Sequence, residues 1–195
     1  FMSPNDNKRI LQNTLFMYVR MFIIMLISLY TSRIVLNTLG ISDYGIYNIV
    51  GGIVVMFSFL NSAMSASTQR FLTIEIGKDN FNGQKNVFKT SVILHLLIAV
   101  LLLILSESIG VWFINTQLNI PVERLYAANW AFQFTVLSMV FSIIGVPFNA
   151  TIISHEHFRF YAYISVVEVV LRLLIVFTLQ LFLFDKLILY AIFVC

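Results

Sequence analysis

Cysteine, proline and charge are all scarce in this sequence. The single cysteine, Cys195, excludes an intrachain disulfide and a cysteine-built zinc site. Three prolines beside nineteen phenylalanines exclude collagen-like and disordered chains, which lack large apolar side chains. Only 11% of the residues are charged, against about 25% in a soluble domain. The net charge is +3, but the twelve lysines and arginines are scattered between apolar runs. They form no basic patch, so no nucleic-acid partner is expected. The GxxxxGK[ST], GxGxxG, GxSxG and HExxH patterns are absent. No cofactor is implied, and the chain does not read as an enzyme.

What is abundant is apolar surface, at 59% hydrophobic residues. The sequence predicts an all-α polytopic membrane protein, with residues 1–195 forming a single membrane domain. A crossing helix takes about 20 apolar residues, so the length allows roughly six spans. Five runs qualify: Thr14–Leu36, Tyr44–Ala66, Val92–Ile114, Ala127–Ile153 and Phe160–Phe184. They are continuous, unlike the short alternating strands of a barrel. A sixth run, Leu187–Cys195, is too short to cross and is expected to be an incomplete helix.

Lysines and arginines in short connections set orientation. Seven (Lys8, Arg9, Arg70, Lys78, Lys85, Lys89 and Arg159) fall on one side. The other side has Arg124 and Lys186, with Arg33 near a helix end. This bias predicts a cytoplasmic N-terminus, and Trp112, Tyr126 and Trp130 flank an outer loop as interfacial aromatics do. The longest inner connection is Ser67–Thr90, where Gly77, Asp79, Asn80, Asn82 and Gly83 predict a turn after an extended second helix. Pro121 followed by Glu123 predicts the start of the fourth helix, with the proline at its first position. The first run is too long for a signal-peptide core.

Function has to come from polar groups inside the spans. Arg20 shares a helical line with Asn13 and Thr31. It has no acid three or four residues away, so it faces either a cavity or, by snorkelling, the headgroups. Asn48, Gly51, Ser58, Ser62 and Ser65 make a second stripe, with Gly52 beside them. Small residues in line favour close helix packing over a pore wall. Ser138, Ser142, Gly145 and Asn149 make a third, with Pro147 inside the same span as a source of a kink. Glu168, taken as the one well-buried acid, and Arg172 stand at i,i+4 with Tyr161 and Ser165 on the same face, as a structural pair or a held cation. His95 shares a face with Ser91 and Ser106 and reads as a hydrogen-bonded packing residue. His155-Glu156-His157 does not put its side chains on one helix face, so a solvated turn is the better reading than a metal site.

The run Arg33-Ile-Val-Leu-Asn-Thr-Leu-Gly-Ile-Ser-Asp-Tyr-Gly-Ile-Tyr, between the first two spans, resembles a pattern of Wzx-type polysaccharide flippases in the MATE superfamily. Asn61-Ser-Ala-Met-Ser-Ala-Ser-Thr-Gln-Arg-Phe-Leu and Ala127-Ala-Asn-Trp-Ala-Phe-Gln-Phe are also similar to the lipopolysaccharide-biosynthesis branch. The resemblance implies one helical lobe of a two-lobe transporter in a bacterial inner membrane, with a C-terminal half as its partner. A lobe alone is not expected to transport. The implied substrate is a polyprenyl-diphosphate-linked oligosaccharide, moved between leaflets by alternating access for O-antigen synthesis. Membrane lipids, a polysaccharide polymerase and glycosyltransferases are the other implied partners. Basic residues of the first helices line the family's cavity, which points to Arg20 and Arg33. Asn13, Arg172 and Glu168 complete the expected substrate site. A cation-coupled multidrug exporter, which would want intramembrane acids, and a non-transporting scaffold are the competing readings.

Overall fold

The computed structural model describes residues 4–56, 58–180 and 185–194. Cys195 and the expected end of the fifth span, residues 181–184, lie outside the described residues. Seven α-helices follow one another: α1 Pro4–Val55, α2 Ser58–Gly77, α3 Phe81–Leu105, α4 Val111–Thr116, α5 Val122–Ser154, α6 Phe158–Leu179 and α7 Lys186–Val194. A π-helical turn, Ser106–Gly110, joins α3 to α4 as one continuous rod. No strand occurs among the described residues.

Among the described residues, four helical stretches are long and apolar enough to cross a bilayer: Leu11–Gly52, Phe81–Thr116, Val122–Ser154 and Phe158–Leu179. The expectation of about six spans is corrected in two places. The run Tyr44–Ala66 is not one helix, because α1 ends at Val55 and α2 begins at Ser58. The last run forms the nine-residue α7. The boundary between the first two runs does exist, inside α1. Gly40 has φ 83° and ψ 167°, a conformation essentially confined to glycine, and the chain reverses there.

The Ser67–Thr90 segment is mostly helix, as the extended second helix required. The turn itself is Lys78–Asn80, where Asn80 caps α3 by accepting from the Gly83 N–H at 3.0 Å. Pro121 is the N-cap of α5 rather than its first helical residue, so Arg124 and Glu123 both stand in the first turn. Proline 147 is buried inside an unbroken α5.

Helix α5 is the centre of the bundle and packs on α1, α2, α3 and α7. Ala127, Ala128 and Ala131 are buried along its first turns, and Phe132 beside them is fully buried. The Phe132 ring lies so close to the Gly110 backbone that a side chain there would collide with it. Between apolar helices in lipid there is little hydrophobic drive, so such close van der Waals contact does the holding. Large apolar side chains such as Leu29, Leu97, Leu101, Phe141 and Leu174 remain exposed around the outside. In water that belt would be a liability; in a bilayer it faces its solvent.

Candidate functional site

The bundle has two ends. One carries the Lys78–Asn80 turn and His155–His157; the other carries Gly40, Gln117 and Asp185. At the His155 end, α1 and the start of α6 border an open cavity of about 600 Å³. Asn13, Arg20, Glu156 and Phe158 line it, with methionines 17 and 21. The Arg20 guanidinium lies over the Tyr161 ring, 4.4 Å from its centroid. Its Nε is buried and has no hydrogen-bond acceptor. A cation over an aromatic face is held without being neutralised, and its forked donors remain for an oxyanion. Thr31, third on the Asn13–Arg20 line, turns its hydroxyl to the Ile27 carbonyl of its own helix at 2.7 Å.

A second cation stands beside this cavity. Arg159 packs over the Phe16 ring at 5.0 Å and donates to the Gln12 Oε1 at 3.3 Å. Together with Asn13 and His157 it lines an adjoining cavity of about 380 Å³. In the sequence Arg159 is one of the inner-loop charges, and nothing in its local spacing marks it as a site residue.

The remaining expected site residues separate. Arg33 is exposed on α1 and has no hydrogen bond or ion pair among the described residues. Glu168 and Arg172 do pair, at 2.9 Å, but both are at least half exposed. They sit about 10 and 16 Å beyond Tyr161 along α6, by helical rise. Glu168 is therefore not the well-buried acid that was expected. Among the described residues the buried acid is Asp43, which is 6% exposed. A polar residue just past a helix-breaking glycine drew no attention in the sequence except as part of the flippase-like motif.

Asp43 belongs to a three-residue ionic node at the Gln117 end. Arg124 Nε lies 3.3 Å from Asp43 Oδ1, and Arg124 Nη1 lies 2.8 Å from Asp185 Oδ2. Asp185 also caps α7, its Oδ1 accepting from the Leu187 N–H at 3.1 Å. A cation in the first turn of α5 opposes the helix dipole, and two carboxylates compensate it.

Parts of the second and third stripes line one cavity, contrary to the packing expectation for the second. Asn48, Gly51, Asn61, Thr135, Ser138 and Ser142 are among the residues lining about 500 Å³ between α1, α2 and α5. Nothing lies within 4 Å of where a side chain would begin on Gly51, Gly52 or Gly145. Gly51 and Gly52 widen this space; close packing belongs to Gly110 and the α5 alanines.

His95 is a packing residue as expected, in a buried chain of hydrogen bonds. Thr68 and Ser91 hydroxyls are 2.9 Å apart, and His95 Nδ1 donates to the Ser91 carbonyl at 2.7 Å. That fixes the tautomer, since a carbonyl only accepts, and leaves Nε2 without a partner. Ser106, further along the face, is buried with its hydroxyl unpartnered. The His155 and His157 rings stack at 6.3 Å, and no group of metal-ligating side chains occurs among the described residues. No family model, curated protein or solved structure matches this chain.

Proposed function

We propose that this chain is the N-terminal lobe of a flippase for polyprenyl-diphosphate-linked saccharides, embedded in a bacterial inner membrane with its His155 end in the cytoplasm. One observation carries the reading: Arg20 lines a cavity beside a membrane helix with its guanidinium seated on the Tyr161 ring and in no ion pair among the described residues. A diphosphate in hydrocarbon would cost on the order of tens of kcal/mol. In this reading Arg20 replaces its water with charge-assisted hydrogen bonds, Arg159 draws it to the mouth, and Asn13 contributes an amide. The polyprenyl tail stays in lipid against the exposed apolar face of α1. In the uncharged space between α1, α2 and α5, Asn48, Asn61, Thr135, Ser138 and Ser142 stand among apolar neighbours and offer amides and hydroxyls to neutral sugar hydroxyls. Glu168 and Arg172 stand outside the headgroup contact.

The test is export of surface polysaccharide in a bacterial strain lacking its flippase, complemented with the two-lobe transporter that contains this chain. Arg20→Ala should reduce export by about tenfold or more at unchanged protein level, the effect of one lost charge-assisted hydrogen bond. Arg20→Lys keeps the charge without the fork and should fall between. Full export by Arg20→Ala at normal abundance would remove Arg20 from the site.

A further inference from the structure

We propose that the Gln117 end holds a two-layer latch that closes the polar α1–α2–α5 cavity from that side. The first layer is the ionic node, in which Arg124 of α5 bridges Asp43 of α1 and Asp185 before α7. The second lies one helical turn deeper. Tyr47, four residues after Asp43, meets Tyr190 of α7 edge-to-face, with ring centroids 4.8 Å apart at 64°. Tyr47 is also a wall of the 500 Å³ cavity. The aromatic pair thus sits directly between the ionic node and the polar space.

Three features make this arrangement a latch rather than ordinary packing. Its ionic layer joins three separate elements through a single residue, so loss of Arg124 removes both ionic ties at once and leaves the Tyr47–Tyr190 contact and the packing of α7 on α5 to hold the end closed. Arg124 is half exposed at the bundle end, where water can compete for it when the helices part. Asp185 both receives Arg124 and caps α7, so the ion pair and the start of α7 are coupled. The element on the other side of the latch, the half of α1 after Gly40, begins at the glycine reversal. A reversal of that kind lets a short helix tilt without bending its own backbone.

The latch gives the transport reading an access control, and it rests on that reading only for its purpose. It is tested by thiol accessibility, with no substrate present. The native thiol is removed by Cys195→Ser, and a single cysteine is placed in the cavity by Ser138→Cys. A charged, membrane-impermeant maleimide is added from the side on which Gln117→Cys reacts. With the latch intact, modification of Ser138→Cys should be slow. Arg124→Ala should speed it about tenfold or more, as expected when one charge-assisted contact no longer favours the closed state. Arg124→Lys should restore most of the protection, and Gln117→Cys should react equally in all backgrounds. Should Arg124→Ala not accumulate, Asp185→Asn keeps the acceptor that caps α7 and removes only the ionic bond, and the same acceleration is expected.

Equal modification rates in the parent and in Asp185→Asn would overturn the proposal, as would fast modification with the latch intact. Latch-dependent labelling in a chain that binds no polyprenyl diphosphate would instead refute the flippase reading and leave the latch standing.

Discussion

The two ends of the bundle treat arginine in opposite ways. At the Gln117 end, Arg124 is neutralised twice over by Asp43 and Asp185. At the His155 end, Arg20 and Arg159 rest on the rings of Tyr161 and Phe16. Carboxylates consume a cation's hydrogen-bonding capacity, whereas an aromatic face supports the charge and leaves the donors directed elsewhere. Charge at the first end therefore maintains the fold, and charge at the second is available to an anion.

The sharpest way to break this comparison is to remove both arginines and compare stability. Arg124→Ala leaves Asp43 buried without its counter-charge. Breaking a fully buried pair costs about 3–5 kcal/mol; half-exposure of Arg124 lowers that to about 2–3 kcal/mol. Arg20→Ala loses one cation–π contact, about 0.5–2 kcal/mol. Thermal unfolding in detergent should rank Arg124→Ala clearly below Arg20→Ala. The reverse order would mean that Arg20 is the structural cation.

The two kinds of small residue sharpen the comparison next. Gly110→Ala drives a methyl into the Phe132 ring, and overpacking of this kind costs about 1–3 kcal/mol. Gly51→Ala meets open space and should be neutral or stabilising by up to about 1 kcal/mol, since alanine favours helix. The same unfolding assay reads both. Equal destabilisation would return Gly51 to a packing role.

The smallest effect is expected at the α2–α3 turn. The hydrogen bond from Lys78 holds the Glu75 carboxyl below the usual carboxylate range, opposed by desolvation and assisted by the Asn80 amide. A depressed carboxylate contributes stability above its unfolded pKa and loses it as pH falls through the folded value. Glu75→Gln should therefore unfold slightly below the parent at pH 7, with the gap closing below about pH 4. A gap that persists in acid would assign the effect to the amide contact instead of the charge.

The helices were largely legible because continuous apolar runs leave few alternatives. The end of the second run was not, because the interruption between Val55 and Ser58 falls where glycines and apolar residues continue the pattern without a break. Arg20 could be read as exceptional from its lack of a local acid, and the structure adds its partner ring from α6. Asp43, Arg124 and Asp185 could not be joined from sequence, since they lie on three elements and each alone resembles a loop charge. The stripe from Asn48 and Gly51 reads as packing for a related reason. Spacing identifies a face, but only the opposing helix decides whether that face is filled or hollow. Arg33, Glu168 and Arg172 fit the chemistry of a site and still sit apart from Arg20, because helical rise separates residues that a common stripe seems to unite.

The central claim is that Arg20 holds an anionic headgroup, and equilibrium binding of a polyprenyl diphosphate to the purified chain in detergent micelles tests it most directly. Arg20→Ala should weaken binding by about tenfold or more, while Arg33→Ala, exposed and away from the cavity, should bind as the parent does. Unchanged affinity in Arg20→Ala, with the protein folded and at equal concentration, would contradict the account and return Arg20 to the headgroups as a snorkelling residue.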